Sequence, residues 1–308
     1  MTRIAHLADL HVGAALRDLA RYPGAPELDP SALALLAFER LLADVIAAAP
    51  DAVLVAGDVF DRDVPPERAL PVVQAALDAL AGSGIRVAMI AGNHDAETGA
   101  LTRLRLPAGV ALLRDEAAET LIWEDLGLAI VGRSIARADE DRDLAAGYPA
   151  APAGLRTIGM LHTSLTGELS RRACAPTTAD VLDRPGYAYW ALGHVHSPIA
   201  VGGTTPAWFA GGGHGRRVEE LGARGWLEVT LGDADGAVEV RHRATAPVRY
   251  ESLDPGELGL DGLATLLDAG PEAAHAVVWV LPERHAGLLD AARELAARDA
   301  RFLVVPGR

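Results

Sequence analysis

Five short polar motifs, each set directly behind an apolar run of strand length, constrain this chain more than any other feature. Asp9-Leu10-His11-Val12-Gly13 follows residues 3–8, and Gly57-Asp58-Val59-Phe60-Asp61 follows the AVLVA run at 52–56. Gly92-Asn93-His94-Asp95 follows residues 85–91, His162 closes residues 157–161, and Gly193-His194-Val195-His196 follows residues 187–192. Runs of this length and apolarity read as buried strands. Polar residues repeated at the same end of successive strands place their side chains at a common sheet edge, where open α/β sheets gather ligands. Between the first three runs lie two helical patterns, residues 31–49 ending before Pro50 and a stretch from Pro65-Pro66 to about residue 81. Proline suits a first helical turn, and strand–helix alternation of this kind gives an α/β fold, a sheet flanked by helices.

Beyond residue 112 the pattern shortens. Strands are expected at 120–123 and 128–131, a polar, Ala-rich loop runs to Pro152, and a hairpin is expected from 225–231 and 237–243 around a turn at residues 232–236. From about Pro247 a new alternation starts: strand 249–253, helix 257–267, strand 276–281, helix 286–297, strand 302–305. This divides the chain into residues 1–246, which carry every motif, and residues 247–308, a small C-terminal α/β cap. A chain of 308 residues with half of them hydrophobic can bury cores of both kinds.

Charge limits the partners. The net charge of −14 argues against binding nucleic acid through the overall field, so any attraction to a phosphate backbone has to be local. All 28 basic residues are Arg, the side chain suited to bidentate phosphate contact. Arg171-Arg172 and Arg216-Arg217 stand near the motifs and could supply such contacts, although solvated surface charge explains them as well. The single cysteine, Cys174, excludes an internal disulfide and fits a reducing compartment. Residues 1–13 lack the apolar core of a signal peptide, and the most hydrophobic stretch, 32–49, is broken by Glu39, Arg40 and Asp44. A soluble, cytoplasmic protein with no membrane association is expected.

The motif residues suit a pair of metal ions. Two divalent cations roughly 3.5–4 Å apart need a shared carboxylate against their mutual repulsion, and Asp58 is the candidate bridge. Asp9, His11, Asn93, His162, His194 and His196 complete a mixed nitrogen and oxygen set that suits manganese, with iron or zinc as alternatives, better than calcium. Two carboxylates against two dications leave positive charge to draw a phosphate and lower the pKa of a bridging water toward hydroxide. His194 and His196, two apart in extended chain, point to one side. His94 follows a ligand rather than being one, so it is assigned to the departing oxygen, with Asp95 expected to orient its imidazole. His214, in the glycine-rich loop at 211–214, and Arg216 are candidate substrate contacts, and His6 is expected to be a packed strand residue.

These motifs are those of the calcineurin-like metallophosphoesterase superfamily, DxH, GDxxD, GNHD/E, H and GHxH, and the resemblance extends over about residues 3–243. Ala8 to Gly13, Ala56 to Asp61 and Tyr189 to His196 resemble its DNA repair nuclease branch, which includes SbcD-type and YhaO-type members. Leu161-His162-Thr163-Ser164-Leu165, Ala175-Pro176 and Gly215-Arg216 are nearest the YhaO type. The resemblance implies a four-layer sandwich of two mixed β-sheets flanked by helices, with a small capping domain. It implies one ion on Asp9, His11, Asp58 and His196 and the other on Asp58, Asn93, His162 and His194, with His94 catalytic. It further implies a metal-dependent DNA exonuclease or endonuclease working with an SbcC-like or YhaN-like coiled-coil ATPase, with homodimerisation an open alternative. A phosphatase or phosphodiesterase on nucleotides or other small phosphate esters uses the same ligands, and a DNA-end-binding assembly subunit with little activity is the third reading.

Overall fold

The computed structural model describes the chain except residues 18, 20–24, 26, 171, 233–236, 269–275, 299–300 and 308. Most of the expected turn at 232–236, and Arg171, therefore lie outside the described residues. The first half runs β1 (Thr2–Leu7), α1 (Pro30–Ala48), β2 (Ala52–Ala56), α2 (Pro66–Gly82), β3 (Arg86–Ile90), α3 (Asn93–Thr98) and β4 (Val110–Leu112). Then come β5 (Glu119–Trp123), β6 (Leu128–Gly132), β7 (Arg156–His162), α4 (Ala179–Leu182), β8 (Tyr187–Gly193), β9 (Ile199–Val201), β10 (Ala207–Phe209), β11 (Gly225–Leu231) and β12 (Val238–Ala244). The chain closes with β13 (Val248–Ser252), α5 (Gly259–Asp268), β14 (Ala276–Leu281), α6 (Leu289–Ala296) and β15 (Phe302–Pro306).

Two mixed six-stranded sheets form, in the orders β12-β11-β1-β2-β3-β4 and β5-β6-β7-β8-β10-β9. β1 to β4 are parallel in sequence order, and β6, β7, β8 and β10 are parallel in the other sheet. Strand alternation sorts the apolar runs between layers. In β2, Ala52, Leu54 and Ala56 face the second sheet while Val53 and Val55 face the helices; in β3, Ala88 and Ile90 face inward while Val87 and Met89 face outward. The inter-sheet core thus sets Ile4, Leu54 and Ile90 against Ile130, Ile158 and Tyr189, all fully buried. Each such side chain contributes about 1.5–3 kcal/mol relative to exposure.

The helical layer over the first sheet is made by α1 and α2, through Phe38, Leu41, Val45, Val73, Leu77 and Leu80. Helix α1 starts where expected because Asp29 accepts from the Ser31 and Ala32 amides at 2.9 and 3.1 Å, with Pro30 in the first turn. The outer face of the second sheet is covered differently: Tyr148, Cys174, Leu182 and their connecting loops pack on Leu161, Trp190 and Leu192, with α4 only four residues long. The third sheet, parallel in the order β13-β14-β15, is covered on both faces. One face carries Val277, Trp279 and Leu281 under α5 and α6, and the other sets Tyr250, Val278 and Val280 against Leu16, Ala34 and Val218 of the preceding chain.

Candidate metal centre

The parallel strands of both sheets deliver their polar ends to one edge. Asp9 and His11 follow β1, Asp58 follows β2, Asn93 opens α3 after β3, His162 ends β7, and His194 and His196 follow β8. The loops after β1 and β2 are zipped together by backbone bonds, Asp9 N to Gly57 O at 3.0 Å, His11 N to Asp58 O at 3.0 Å and Val12 N to Val59 O at 2.9 Å. Glycine is required where the strand ends meet. A Cβ on Gly92 would stand 2.3 Å from Asp58 Oδ1, and one on Gly193 would stand 2.0 Å from the Ala56 carbonyl. The ligand residues themselves carry strain: Asp9, His11, Asp58 and His194 have φ of 50°, 41°, 54° and 99°. Left-handed backbone at non-glycine residues costs about 1–3 kcal/mol each and is held by its surroundings at functional sites.

The donor atoms converge in two nests that share Asp58. Its Oδ2 lies 3.7 Å from His11 Nε2 on one side and 3.6 Å from His162 Nε2 on the other, while its Oδ1 accepts the His94 amide at 2.8 Å. On the first side, His11 Nε2 stands 3.4 Å from His196 Nε2, and Asp9 Oδ1 is 3.9 Å from His196 Nε2. On the second side, Asn93 Oδ1 is 3.1 Å from His162 Nε2 and 3.0 Å from His194 Nδ1.

The protons on these rings point away from the nests. His11 Nδ1 faces Asp61 at 3.0 Å, His196 Nδ1 faces Glu220 at 2.9 Å, and His162 Nδ1 donates to the Ala56 carbonyl at 2.9 Å. His194 Nε2 faces Ser170 Oγ at 2.8 Å and the Arg172 carbonyl at 3.0 Å. With those nitrogens protonated, the inward nitrogens carry lone pairs, so lone pairs and oxygens face one another across the nests. Acceptors directed at acceptors in a buried site repel unless a cation lies between them, and imidazole, carboxylate and amide oxygen are the donors a first-row divalent ion takes. The donor set therefore fits divalent ions, in overlapping groups that include Asp9, His11 and His196, Asp9, Asp58 and His162, and His11, Asp58 and His94. The sulfur of Cys174 also lies within 4.8 Å of ring nitrogens of His162 and His194, a neighbour that no motif marked.

Burial and neighbours set the charge states of these side chains. Burial pushes the Asp58 carboxyl up, but His162, His11 and His94 outweigh it and bring it to about 2. Burial, with Arg216 adding to it, brings His11 down to about 3, and burial with His162 brings His194 to about 4. For His196 burial opposes charge, yet Glu220 and Asp9 hold its pKa above the ordinary imidazole value.

Two expected roles change. Asp95 does not orient His94: its carboxylate accepts from the backbone of Gly92, Val59 and Phe60 at 3.0, 3.1 and 2.8 Å, and stitches two motif loops together. The carboxylate beside the His94 ring is Asp61, 3.4 Å from Nδ1, which also forms an ion pair with Arg216 Nη2 at 2.6 Å. His214 is no substrate contact, because it is buried and its Nε2 donates to the Ala14 carbonyl at 3.0 Å. Arg216, in contrast, lines the open cleft of about 450 Å³ over the metal nests, together with His94, Arg62, Arg172 and Arg217. Its Nε has no hydrogen-bond partner among the described residues. The residues that motif reading missed are Asp61, visible only as the last letter of its motif, and Glu220, for which the sequence carries no local signal.

Comparison with known proteins places this geometry. The family described as calcineurin-like phosphoesterase matches residues 2–198. The uncharacterized metallophosphoesterase YhaO of Bacillus subtilis (strain 168) is 28% identical over 234 residues, covering 74% of this chain and 57% of that protein. The DNA double-strand break repair protein Mre11 of Methanopyrus kandleri is 24% identical over 215 residues, covering 64% of this chain and 45% of that protein. The chain thus spans about half the length of these relatives. A crystal structure of a dimetal phosphatase from Danio rerio matches with a TM-score of 0.52 at 13% identity, over 79% of this chain and 96% of that one, which speaks to the fold.

Proposed function

The chain belongs to the calcineurin-like phosphoesterase family, hydrolases of phosphoester bonds, and from that premise we propose that it is a two-metal phosphodiesterase that cleaves DNA in repair. The observation that carries the chemistry is the meeting of acceptor atoms on both sides of Asp58. When bound there, two divalent ions activate a water and neutralise charge on the phosphate; manganese is the proposed metal, with iron or zinc as alternatives. Asp9, His11, Asp58 and His196 hold one ion, and Asp58, Asn93, His162 and His194 the other. His94, its Nδ1 engaged by Asp61 and the Arg62 amide, is left with Nε2 to serve the departing oxygen. Arg216, with Arg62, Arg172 and Arg217 on the cleft wall, supplies the local cationic surface that an acidic chain needs to hold a phosphate backbone. The likeness to a DNA double-strand break repair protein supports DNA as substrate.

The remaining assignments follow that reading. A coiled-coil ATPase of the SbcC-like or YhaN-like kind would extend the DNA-binding surface beyond the arginines of this cleft, and homodimerisation is part of the same proposal. Residues 247–308 act as a cap on the 1–246 unit. Among the described residues no helix is long and apolar enough to cross a membrane. The lone cysteine, Cys174, suits a reducing compartment, and on that ground we place the protein in the cytoplasm. The net charge of −14 favours one second reading, hydrolysis of nucleotides or other small phosphate esters, which need no extended basic surface. Metal-stripped protein reloaded with Mn²⁺ and given linear duplex, single-stranded DNA and bis-(p-nitrophenyl) phosphate separates the two. The nuclease reading expects Mn²⁺-dependent cleavage of DNA. Hydrolysis of the small diester with intact DNA at high enzyme would leave only the small-ester reading.

A further inference from the structure

We propose that Glu220 is a positioning residue for the first metal site, and that its segment is seated on the third sheet, which thereby supports one ion of the pair and not the other. The inference rests on the two-metal reading above. Both oxygens of Glu220 are committed: Oε1 lies 2.9 Å from His196 Nδ1, and Oε2 accepts the Arg216 amide at 2.8 Å. The first contact fixes the His196 tautomer with its lone pair on Nε2, facing His11 Nε2 at 3.4 Å. A carboxylate behind a ligating imidazole orients the ring and strengthens it as a ligand.

Only the first site is built this way. His11 is backed by Asp61 and His196 by Glu220, whereas the outward nitrogens of His162 and His194 meet backbone carbonyls and the Ser170 hydroxyl. Arg216 joins the two backing carboxylates, its amide on Glu220 and its guanidinium on Asp61.

The same segment is gripped from behind. Gly215 passes so close to Tyr250 of β13 that a Cβ would stand 2.8 Å from the ring. Val218 packs in the cluster of Tyr250, Val278 and Leu303, and the Gly222 amide donates to the Tyr250 carbonyl at 2.7 Å. The Arg216 carbonyl accepts from the Arg17 amide at 2.6 Å. Residues 215–222 therefore stand between the third sheet and His196. They lie beyond residue 198, where the family match ends.

The test uses the full-length, metal-stripped protein, titrated with Mn²⁺ by calorimetry and read by metal analysis and electron paramagnetic resonance of the paired ions. Wild type is expected to take two ions. In an Asn93→Ala background, which removes a ligand of the second site only, Glu220→Ala should weaken the remaining ion by about 10- to 100-fold. Glu220→Gln, whose amide oxygen still accepts from His196 Nδ1, should restore part of that loss. In an otherwise wild-type chain, Glu220→Ala should bind one ion normally and lose the paired signal at low Mn²⁺. Gly215→Ala, which pushes the segment off Tyr250, should weaken the same ion. Unchanged affinity in Glu220→Ala, or equal loss at both sites, overturns the positioning role, and unchanged affinity in Gly215→Ala overturns the seat. A wild-type protein that takes fewer than two ions would instead overturn the two-metal reading.

Discussion

Asp58 and His94 sit within one hydrogen bond of each other, Asp58 Oδ1 on the His94 amide, yet their side chains should fail differently. Asp58→Ala removes the carboxylate oxygen that faces both His11 and His162, so metal content and hydrolysis should fall together. His94→Ala removes a ring that meets Asp61 and Arg62 and stands 4.7 Å from the His11 ring, with Asp58 also in donor range; in the catalytic role proposed for it both ions should stay while kcat drops about 10²- to 10⁴-fold, the usual worth of general acid catalysis. Metal analysis beside steady-state rates checks this, and an empty site in the His94 variant would remove the distinction between ligand and catalyst. That these donors gather at one edge was legible because each motif is short and directly follows an apolar run of strand length. The Asp95 role was not, because adjacency in sequence misleads at a helix start: successive side chains leave a helix about 100° apart. Asp95 turns back to the Gly57–Gly92 junction, and the His94 ring finds its carboxylate on Asp61, from another loop. Glu220 meets His196 across 24 residues, a contact that no motif spacing encodes.

At the scale of elements, hydrophobic periodicity located the main strands and helices to within a residue or two, with Ala52–Ala56, Gly225–Leu231 and Ala276–Leu281 matched in full. The strands it overlooked, β4 and β9, are three residues long and lie at sheet edges, too short to show an alternation. Helix α5 and helix α6 begin later than expected because 3₁₀ turns at Gly256–Leu258 and Glu283–Leu288 lead into them. What periodicity does not convey is how closely strand ends approach. Gly193→Ala should destabilise the fold by about 1–3 kcal/mol, since overpacking against the Ala56 backbone cannot be relieved by a side-chain rotation. It should also displace His194 and His162, so denaturant unfolding and Mn²⁺ affinity are expected to worsen together. Stability loss with unaltered metal binding would show that the junction yields without moving the ligands.

Across the whole molecule, the two large sheets are joined at the site as well as through their core. The first sheet supplies Asp9, His11, Asp58 and Asn93 and the second supplies His162, His194 and His196, so bound ions cross-link the sheets and should raise the melting temperature on Mn²⁺ addition, by mass action. His6 is a second link. It sits on β1, fully buried, with Nδ1 3.0 Å from the Tyr189 hydroxyl and Nε2 3.1 Å from the Leu192 carbonyl of the other sheet. Burial lowers its pKa from 6.5 to about 3, with the Leu192 contact opposing. The native state therefore keeps the ring neutral while the unfolded chain takes up a proton below pH 6.5. Since stability rises with pH wherever the unfolded state binds more protons, the His6 contribution is complete above pH 6.5 and is lost as pH falls toward 3. His11 and His194, lowered for the same first reason, add to this slope in the metal-free protein, and bound ions must compete with the same protons. Denaturant melts of metal-free protein should thus show this histidine-borne loss from pH 7 to pH 4, partly offset by Asp95, whose carboxyl burial raises to about 7, and by Asp9 and His196, which are also raised. His6→Gln should start less stable at pH 8 but lose less over that interval, whereas a slope identical to wild type would mean that His6 is already protonated in the fold and that another group carries the acid sensitivity.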